Sequence, residues 1–288
     1  MKPESDDAVT AETTLSTFVA SDGDNLAVQD WPLEPGQPLR GVVIVVHGLG
    51  EHAGRYDHVA RRLNHWGFAV RGYDQYGHGE SGGPRGGLTT DARLLDDLTD
   101  IVDSTRLRMK KGTPLILLGH SMGGLVAAAF VARAIRNADA LVLSSPALDP
   151  GLNAFQKFLL RILPKIAPNL RIGNGLNASL ISHDQAVVQD YRKDNLIHNQ
   201  ISARLARFIA DAGVEVRAAA TAWKVPTLLL YAGADALVNP NGSREFSASA
   251  SPAVVTSRCF DALYHEIFNE LDAEPVFAEL KAWLAARF

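Results

Sequence analysis

Ser121 lies between two bulky neighbours, His120 and Met122, with glycine two residues away on either side at Gly119 and Gly123, and a further one at Gly124. Glycine lowers helix stability by up to about 1 kcal/mol per residue relative to alanine, so this density needs a local reason. A serine hydroxyl becomes a useful nucleophile only when a neighbouring base takes its proton. It must also project from the scaffold to be reached. A sharp turn between a buried strand and a helix achieves this, and glycine at both second neighbours relieves the crowding it creates. Gly119-His120-Ser121-Met122-Gly123 sits between PLILLG and LVAAAFVARAI, a strand pattern and then a small-residue helix pattern. That is the context the G-x-S-x-G nucleophile elbow requires. The plainer alternative is a glycine-rich turn with an incidental serine.

An elbow serine needs an acid and then a histidine further along the chain. Of the nine histidines only His183, His198 and His265 follow Ser121. The first two fall where no strand pattern exists, and solvated surface or local packing accounts for them. His265 follows the strand pattern VTSRCF and precedes the last helix, so it is the expected base. Asp235 ends PTLLLYAGAD, at the carboxyl end of a buried strand pattern where α/β sites form. It is the expected acid, holding the imidazole in one tautomer. Asp261, nearer to His265 in the chain, is its rival, expected to face solvent at a strand end. Two backbone N–H donors are needed for the developing oxyanion. Met122 and Leu49, the latter in His47-Gly48-Leu49-Gly50, are expected to supply them.

These residues need a scaffold. GVVIVVHG (Gly41 to Gly48) is a continuous β-branched run, the pattern of a strand buried on both faces. FAVRGYD, PLILLG, ALVLSSP, PTLLLYAGAD and VTSRCF read as further strands. Helical patterns lie between them, at RYDHVARRLNHWG, Asp91 to about Lys111, LVAAAFVARAI, Pro240 to Ala250 and Glu274 to Phe288. This alternation predicts a mostly parallel sheet with helices on both faces. TLSTFVA and NLAVQDW around SDGD read as a hairpin. Between about Asp149 and Trp223 the alternation breaks, with no comparable strand and several short helices interrupted by Pro164, Pro168, Gly173 and Gly175. The expected organisation is therefore a core over 1–148, with a flexible tail over 1–13, a helical cap or lid over 149–222, and the core resumed over 223–288. In FQKFLLRILPKIAP, Lys157, Arg161 and Lys165 recur every four residues, opposite Phe155, Phe158, Leu159, Ile162, Leu163 and Ile166. Such a basic amphipathic helix, shortened by Pro164, either buries its apolar side against the core or lies on an anionic membrane surface.

The chain has 288 residues, 47% of them hydrophobic, and a formal net charge of -4. That length allows one large α/β domain with an insertion, or two small domains. The mild acidity gives no nucleic-acid footprint. A single cysteine, Cys259, excludes an intramolecular disulfide and fits a reducing compartment. The start, MKPESDDAVTAETT, lacks the order of a signal peptide, and no apolar run approaches about 18 residues, so a cytoplasmic protein is expected. Gly77 to Gly82 is a literal G-x-G-x-x-G, but GPRGGLTTD rather than a helix follows it, which fails the dinucleotide-site context. His47, His52 and His58 come with no H-E-x-x-H or cysteine pair, so they are read as loop and helix residues rather than metal ligands.

Several segments together resemble one family. VVHGLGEHAGRYDHVA, GYDQYGHGESGGPRG, GHSMGG, YAGADALV and the YHEI segment are similar, in order and spacing, to the monoacylglycerol lipase and lysophospholipase branch of the α/β-hydrolases. GHSMGG alone is shared by many esterases and peptidases; HGLGEHAGRY joined with GYDQYGHGESGG is far more specific. ISHDQAVVQDYRKDNLIH resembles that branch's cap segment, although Asn195 stands where the branch usually has proline. The resemblance implies an α/β-hydrolase fold, a mostly parallel eight-stranded sheet flanked by helices and topped by a helical lid. It implies hydrolysis of single-acyl lipid esters, monoacylglycerols first, through an acyl-enzyme on Ser121. Ser121, Asp235 and His265 would form the triad, Leu49 and Met122 the oxyanion hole, and Glu51, Arg55 and Tyr191 the polar glycerol end of the pocket. It implies no metal and no organic cofactor. The partner would be a small lipid ester, with transient membrane-surface contact through the lid as an option. A lysophospholipase, a general carboxylesterase, a serine aminopeptidase and a non-catalytic ligand-binding hydrolase fold remain as alternatives.

Overall fold

The computed structural model describes residues 12–288, so the expected tail falls outside the described residues up to position 11. The strands, in chain order, are β1 (Thr14–Val19), β2 (Asn25–Trp31), β3 (Gly41–Val46), β4 (Phe68–Tyr73), β5 (Leu115–His120), β6 (Ala140–Ser144), β7 (Arg171–Gly173), β8 (Gln200–Ser202), β9 (Thr227–Ala232) and β10 (Val255–Phe260). Eight of them make one sheet in the order β1-β2-β4-β3-β5-β6-β9-β10, and β7 pairs with β8 apart from it. Within the large sheet β2 runs antiparallel to both neighbours, and every other pairing is parallel. The β1–β2 hairpin closes at Gly23, whose φ of +92° suits a residue without a side chain.

The central strands are apolar throughout because both of their faces are covered. In β3, Val43 and Val45 enter one core, while Ile44 and Val46 enter the other. β5 repeats this with Ile116 and Leu118 against Leu115 and Leu117. The covering helices, in chain order, are α1 (Asp57–His65), α2 (Arg93–Arg108), α3 (Ser121–Ala132), α4 (Ala154–Ile166), α5 (Gln185–Lys193), α6 (Ala203–Ala219), α7 (Asn241–Ser249) and α8 (Glu274–Ala285). α1 and α8 bury Leu63, Leu280 and Trp283 on one face; α2, α3, α6 and α7 bury Leu98, Phe130, Phe208 and Phe246 on the other.

The stretch between β6 and β9 departs from the expected run of short helices. It holds the small β7–β8 ribbon, whose three-residue strands are too short to leave an alternating pattern. It also holds α6, a 17-residue helix capped by Ser202, whose side chain accepts from Leu205 N. α6 packs on α3 within the same core as the sheet, through Leu205, Ile209, Ala212 and Val216. Its Gly213 allows a close approach, since a Cβ there would press on Leu148 O at 2.5 Å. Pro164 lies inside α4, in its last turn, where the helix is about to end.

Leu117 and Leu118 are both fully buried on opposite faces of β5, whereas Leu107 is 89% exposed. Leu117→Ala and Leu118→Ala should each lower unfolding free energy by about 2–5 kcal/mol, and Leu107→Ala should stay within about 0.5 kcal/mol of the parent. Urea denaturation midpoints measure this; equal shifts for all three would contradict the two-core arrangement.

Candidate active site

Ser121 is the first residue of α3 and follows β5 directly. Its φ of +52° is the left-handed region that side chains rarely occupy. The strain is tolerated because the backbone is packed tightly around it. A Cβ at Gly119 would overlap the Gly123 carbonyl, and a Cβ at Gly123 would overlap the carbonyl oxygens of Val46 and His47 in β3 and its loop. The glycines let α3 start against the end of two strands at once.

His265 lies in the loop after β10 and is 5% exposed. Its Nδ1 is 2.6 Å from Asp235 Oδ2. Asp235 Oδ1 accepts from Leu237 N and Val238 N, both at 2.9 Å, so the carboxylate cannot rotate away. Burial pushes the Asp235 pKa up, but His265 and the two amides pull it below the usual carboxylate value. For His265, burial pulls down, yet the charge and hydrogen bond of Asp235, with Glu266 and Glu51 behind, raise its pKa above the ordinary 6.5. The His120 ring stands 4.7 Å from the His265 ring and is itself held neutral, its pKa lowered to about 4 by burial and by His265. Asp261 is exposed and accepts from Cys259 Sγ instead, so it is Asp235 that meets the imidazole.

The loop after β3 is held at both peptide groups of Gly48. His47 Nε2 accepts from Gln75 N at 2.9 Å, which puts the ring proton on Nδ1, and Nδ1 donates to Gly48 O at 2.8 Å. On the other side Gly48 N donates to Glu51 Oε1. In a trans peptide the N–H points opposite to the C=O, so fixing Gly48 O also fixes the direction of Leu49 N–H. Leu49 lines the same cavity as Ser121 and Met122. Met122 N–H belongs to the first turn of α3, where backbone donors have no intrahelical partner.

Of the other residues named from the resemblance, Glu51 is 3% exposed and accepts from Tyr56 Oη and Arg55 as well as Gly48 N. Burial opposes its charge, but Arg55, His120 and His47 hold its pKa at about 2. Arg55 also forms a two-pronged pair with Glu266, at 2.7 and 2.8 Å, and its guanidinium lies 4.8 Å from the Tyr191 ring centre. Glu266 and Tyr56 escaped the sequence reading. Glu266 adjoins His265, but nothing in its spacing announces a partner 211 positions away. The two remaining downstream histidines stay apart from the pair: His183 bonds Glu270, and His198 lies against His78 at 4.7 Å between ring centres. His47, His52 and His58 are separately engaged, with Gly48, Asp194 and Phe268. Among the described residues no group of three or more His, Cys, Asp or Glu is arranged to hold a metal ion.

The cavity beside Ser121 has a volume of about 390 Å³ and is walled mainly by apolar side chains. α4 supplies Gln156, Leu159, Leu160 and Leu163 to it. The same helix exposes Phe155, Phe158, Ile162 and Ile166, each at least 40% accessible. Its apolar side is thus divided, one part facing the cavity and one facing solvent.

Residues 37–272 match the family described as serine aminopeptidase, S33. The chain is 32% identical over 281 residues to the monoacylglycerol lipase of Mycolicibacterium smegmatis, covering 96% of this chain and 99% of that one. To phospholipase YtpA of Bacillus subtilis it is 31% identical over 263 residues, covering 88% and 98%. The crystal structure of Paleococcus ferrophilus monoacylglycerol lipase superposes with a TM-score of 0.79 at 32% identity, covering 96% of this chain and 100% of that chain. The chain is an α/β-hydrolase of this family, in its monoacylglycerol lipase branch. Membership makes it an ester hydrolase of the serine type.

Two outcomes are expected of this hydrolase. A base must be neutral to accept a proton, so kcat/KM should rise with pH through the His265 pKa. The midpoint of that acid limb should lie above 6.5, and a pH–rate profile with its midpoint at or below 6.5 would contradict the pairing with Asp235. Gly123→Ala should cost activity out of proportion to its one methyl group, by at least about 100-fold, because α3 must retreat from β3. Wild-type turnover in that variant would contradict the tight elbow.

Proposed function

We propose that the chain hydrolyses carboxylic esters of single-acyl lipids, monoacylglycerols first, through an acyl-enzyme on Ser121. The observation that carries this is the buried His265–Asp235 pair, whose imidazole packs on the ring of His120, the residue directly before the strained Ser121 at an apolar cavity. In this reading His265 Nε2 takes the Ser121 proton as Oγ attacks the ester carbonyl. The N–H groups of Leu49 and Met122 receive the oxyanion, and the N-terminal end of α3 favours the same negative charge. His265 then returns the proton to the departing glycerol oxygen and later activates the water that releases the fatty acid.

The polar end of the site favours an uncharged head group. Arg55 is already gripped by two carboxylates, Glu51 and Glu266, which leaves the trio net negative. A lysolipid phosphate would have to displace one of them. The same engagement disfavours an aminopeptidase, since neither carboxylate is left to receive a substrate ammonium. α4, with its leucines over the cavity, serves as the lid. Its outward Phe155, Phe158, Ile162 and Ile166, flanked by exposed Lys157, Arg161 and Lys165, suit a transient contact with an anionic lipid surface. Among the described residues no helix is long and apolar enough to cross a membrane.

Three measurements test this reading. Ser121→Ala should lower kcat by about 10⁴- to 10⁶-fold with the fold intact, and Asp235→Asn should lose far more activity than Asp261→Asn. Equal losses at the two aspartates would remove the acid assignment. Specificity should climb with acyl length by about fourfold per methylene, from about 0.8 kcal/mol each, and then flatten where the cavity ends. Monoacylglycerol should outrun the matching lysophospholipid, triacylglycerol and an aminoacyl anilide; a flat profile, or a faster anilide, defeats the lipid assignment. Activity on vesicles should rise with anionic lipid and fall in Lys157→Glu/Arg161→Glu. Indifference to both would exclude the surface contact.

A further inference from the structure

The loop carrying His265 is gripped by a buried carboxylate outside the triad. Glu270, with 1% of its side chain exposed, accepts from Tyr264 N at 2.6 Å. It also accepts from His183 N at 3.1 Å and pairs with His183 Nδ1 at 2.9 Å. His183 lies in the insertion, just before α5, and its ring stacks on Tyr264 with 3.6 Å between centres. One step along, Glu266 N donates to Ile181 O at 2.8 Å, and Ser182 Oγ donates to Asn269 O at 2.8 Å. The backbone N–H groups on both sides of His265 are therefore taken, one by Glu270 and one by the insertion.

A buried carboxylate is costly unless donors surround it, and well-packed apolar groups of similar volume often replace a buried ion pair without loss of stability. What a carboxylate adds is direction, because each bond points to one place. The single bond between His265 and Asp235 sets their separation but does not by itself stop the His265 loop from pivoting about it. We propose that Glu270 is a positioning residue for ester hydrolysis: by holding Tyr264 N–H and His183 together it stops that pivot and makes the placement of the base depend on docking of insertion residues 181–183. Glu270 bonds the backbone of Tyr264, next to His265, and His183 of the insertion, so it acts through His265 rather than on substrate. The inference rests on His265 being the general base.

The test compares the parent with Glu270→Ala, Glu270→Gln, His183→Ala and His265→Ala on a short-chain p-nitrophenyl ester. Competent sites are counted by fluorophosphonate titration, so partial unfolding does not enter kcat. Misplacing a catalytic group by about 1 Å can cost 100-fold. Glu270→Ala should therefore lower kcat per titrated site by about 10- to 100-fold, with KM within about twofold. Glu270→Gln, whose amide oxygen still accepts from Tyr264 N–H and His183 Nδ1 but whose NH2 replaces the acceptor of His183 N–H, should recover part of that loss. His183→Ala, which keeps its backbone donor, should lose about 5- to 20-fold, and it carries the test if Glu270→Ala does not fold. If kcat per site stays within twofold in these variants while only the melting temperature falls, Glu270 serves stability alone and the inference is overturned. If His265→Ala retains activity, the base assignment falls first, an outcome the Glu270 variants cannot imitate.

Discussion

Helix α3 begins where it does because no side chain lies between its first turn and the carbonyl oxygens of Val46 and His47. That contact fixes several things together. It places the strained Ser121 at the carboxyl end of β5, brings Met122 N–H beside it, and sets both against the loop after β3. The parallel sheet supplies the rest, since β3, β5 and β9 all end on this side and deliver Leu49, Ser121 and Asp235 to one rim. Strain at one residue is balanced by packing over two strands and a helix, the pattern expected where backbone strain serves a site.

Around that centre the polar groups are buried in connected sets rather than singly. Glu51 links Gly48, Tyr56 and Arg55; Arg55 links Glu51 with Glu266; Glu266 adjoins His265. The loop after β3 and the loop of the His265 imidazole are thus joined through one guanidinium, 11% exposed. Breaking such a network at one member leaves buried charge uncompensated, so its parts are held more rigidly than surface ion pairs would be. Rigidity of this kind is what preorganised donors require.

Much of this was legible in the sequence, for identifiable reasons. The elbow announced itself because glycine is needed at fixed offsets from Ser121, and β3 because both its faces are apolar. Asp235 and His265 were legible because they follow strong strand patterns. Other parts left little trace. Glu266 bonds Arg55 and Glu270 bonds His183, each more than 80 positions away, and distance in the fold has no local signature. Nor did the resemblance that put Glu51 at the pocket's polar end announce its bonds with Gly48 N, Tyr56 and Arg55. The stretch between β6 and β9 showed no strand pattern because β7 and β8 are too short for alternation to register.

α4 shows how one element can serve two selections separately. Leu159, Leu160 and Leu163 face the cavity, while Phe155, Phe158, Ile162 and Ile166 face outward, roughly a quarter turn away on a helix of 3.6 residues per turn. None of these residues is tightly buried, so neither set is bound by the close packing that restricts substitution in the sheet. Under the proposed function, changes on the inner row would alter which tail fits, and changes on the outer row would alter contact with a lipid surface. The two properties can drift independently along a single 13-residue helix.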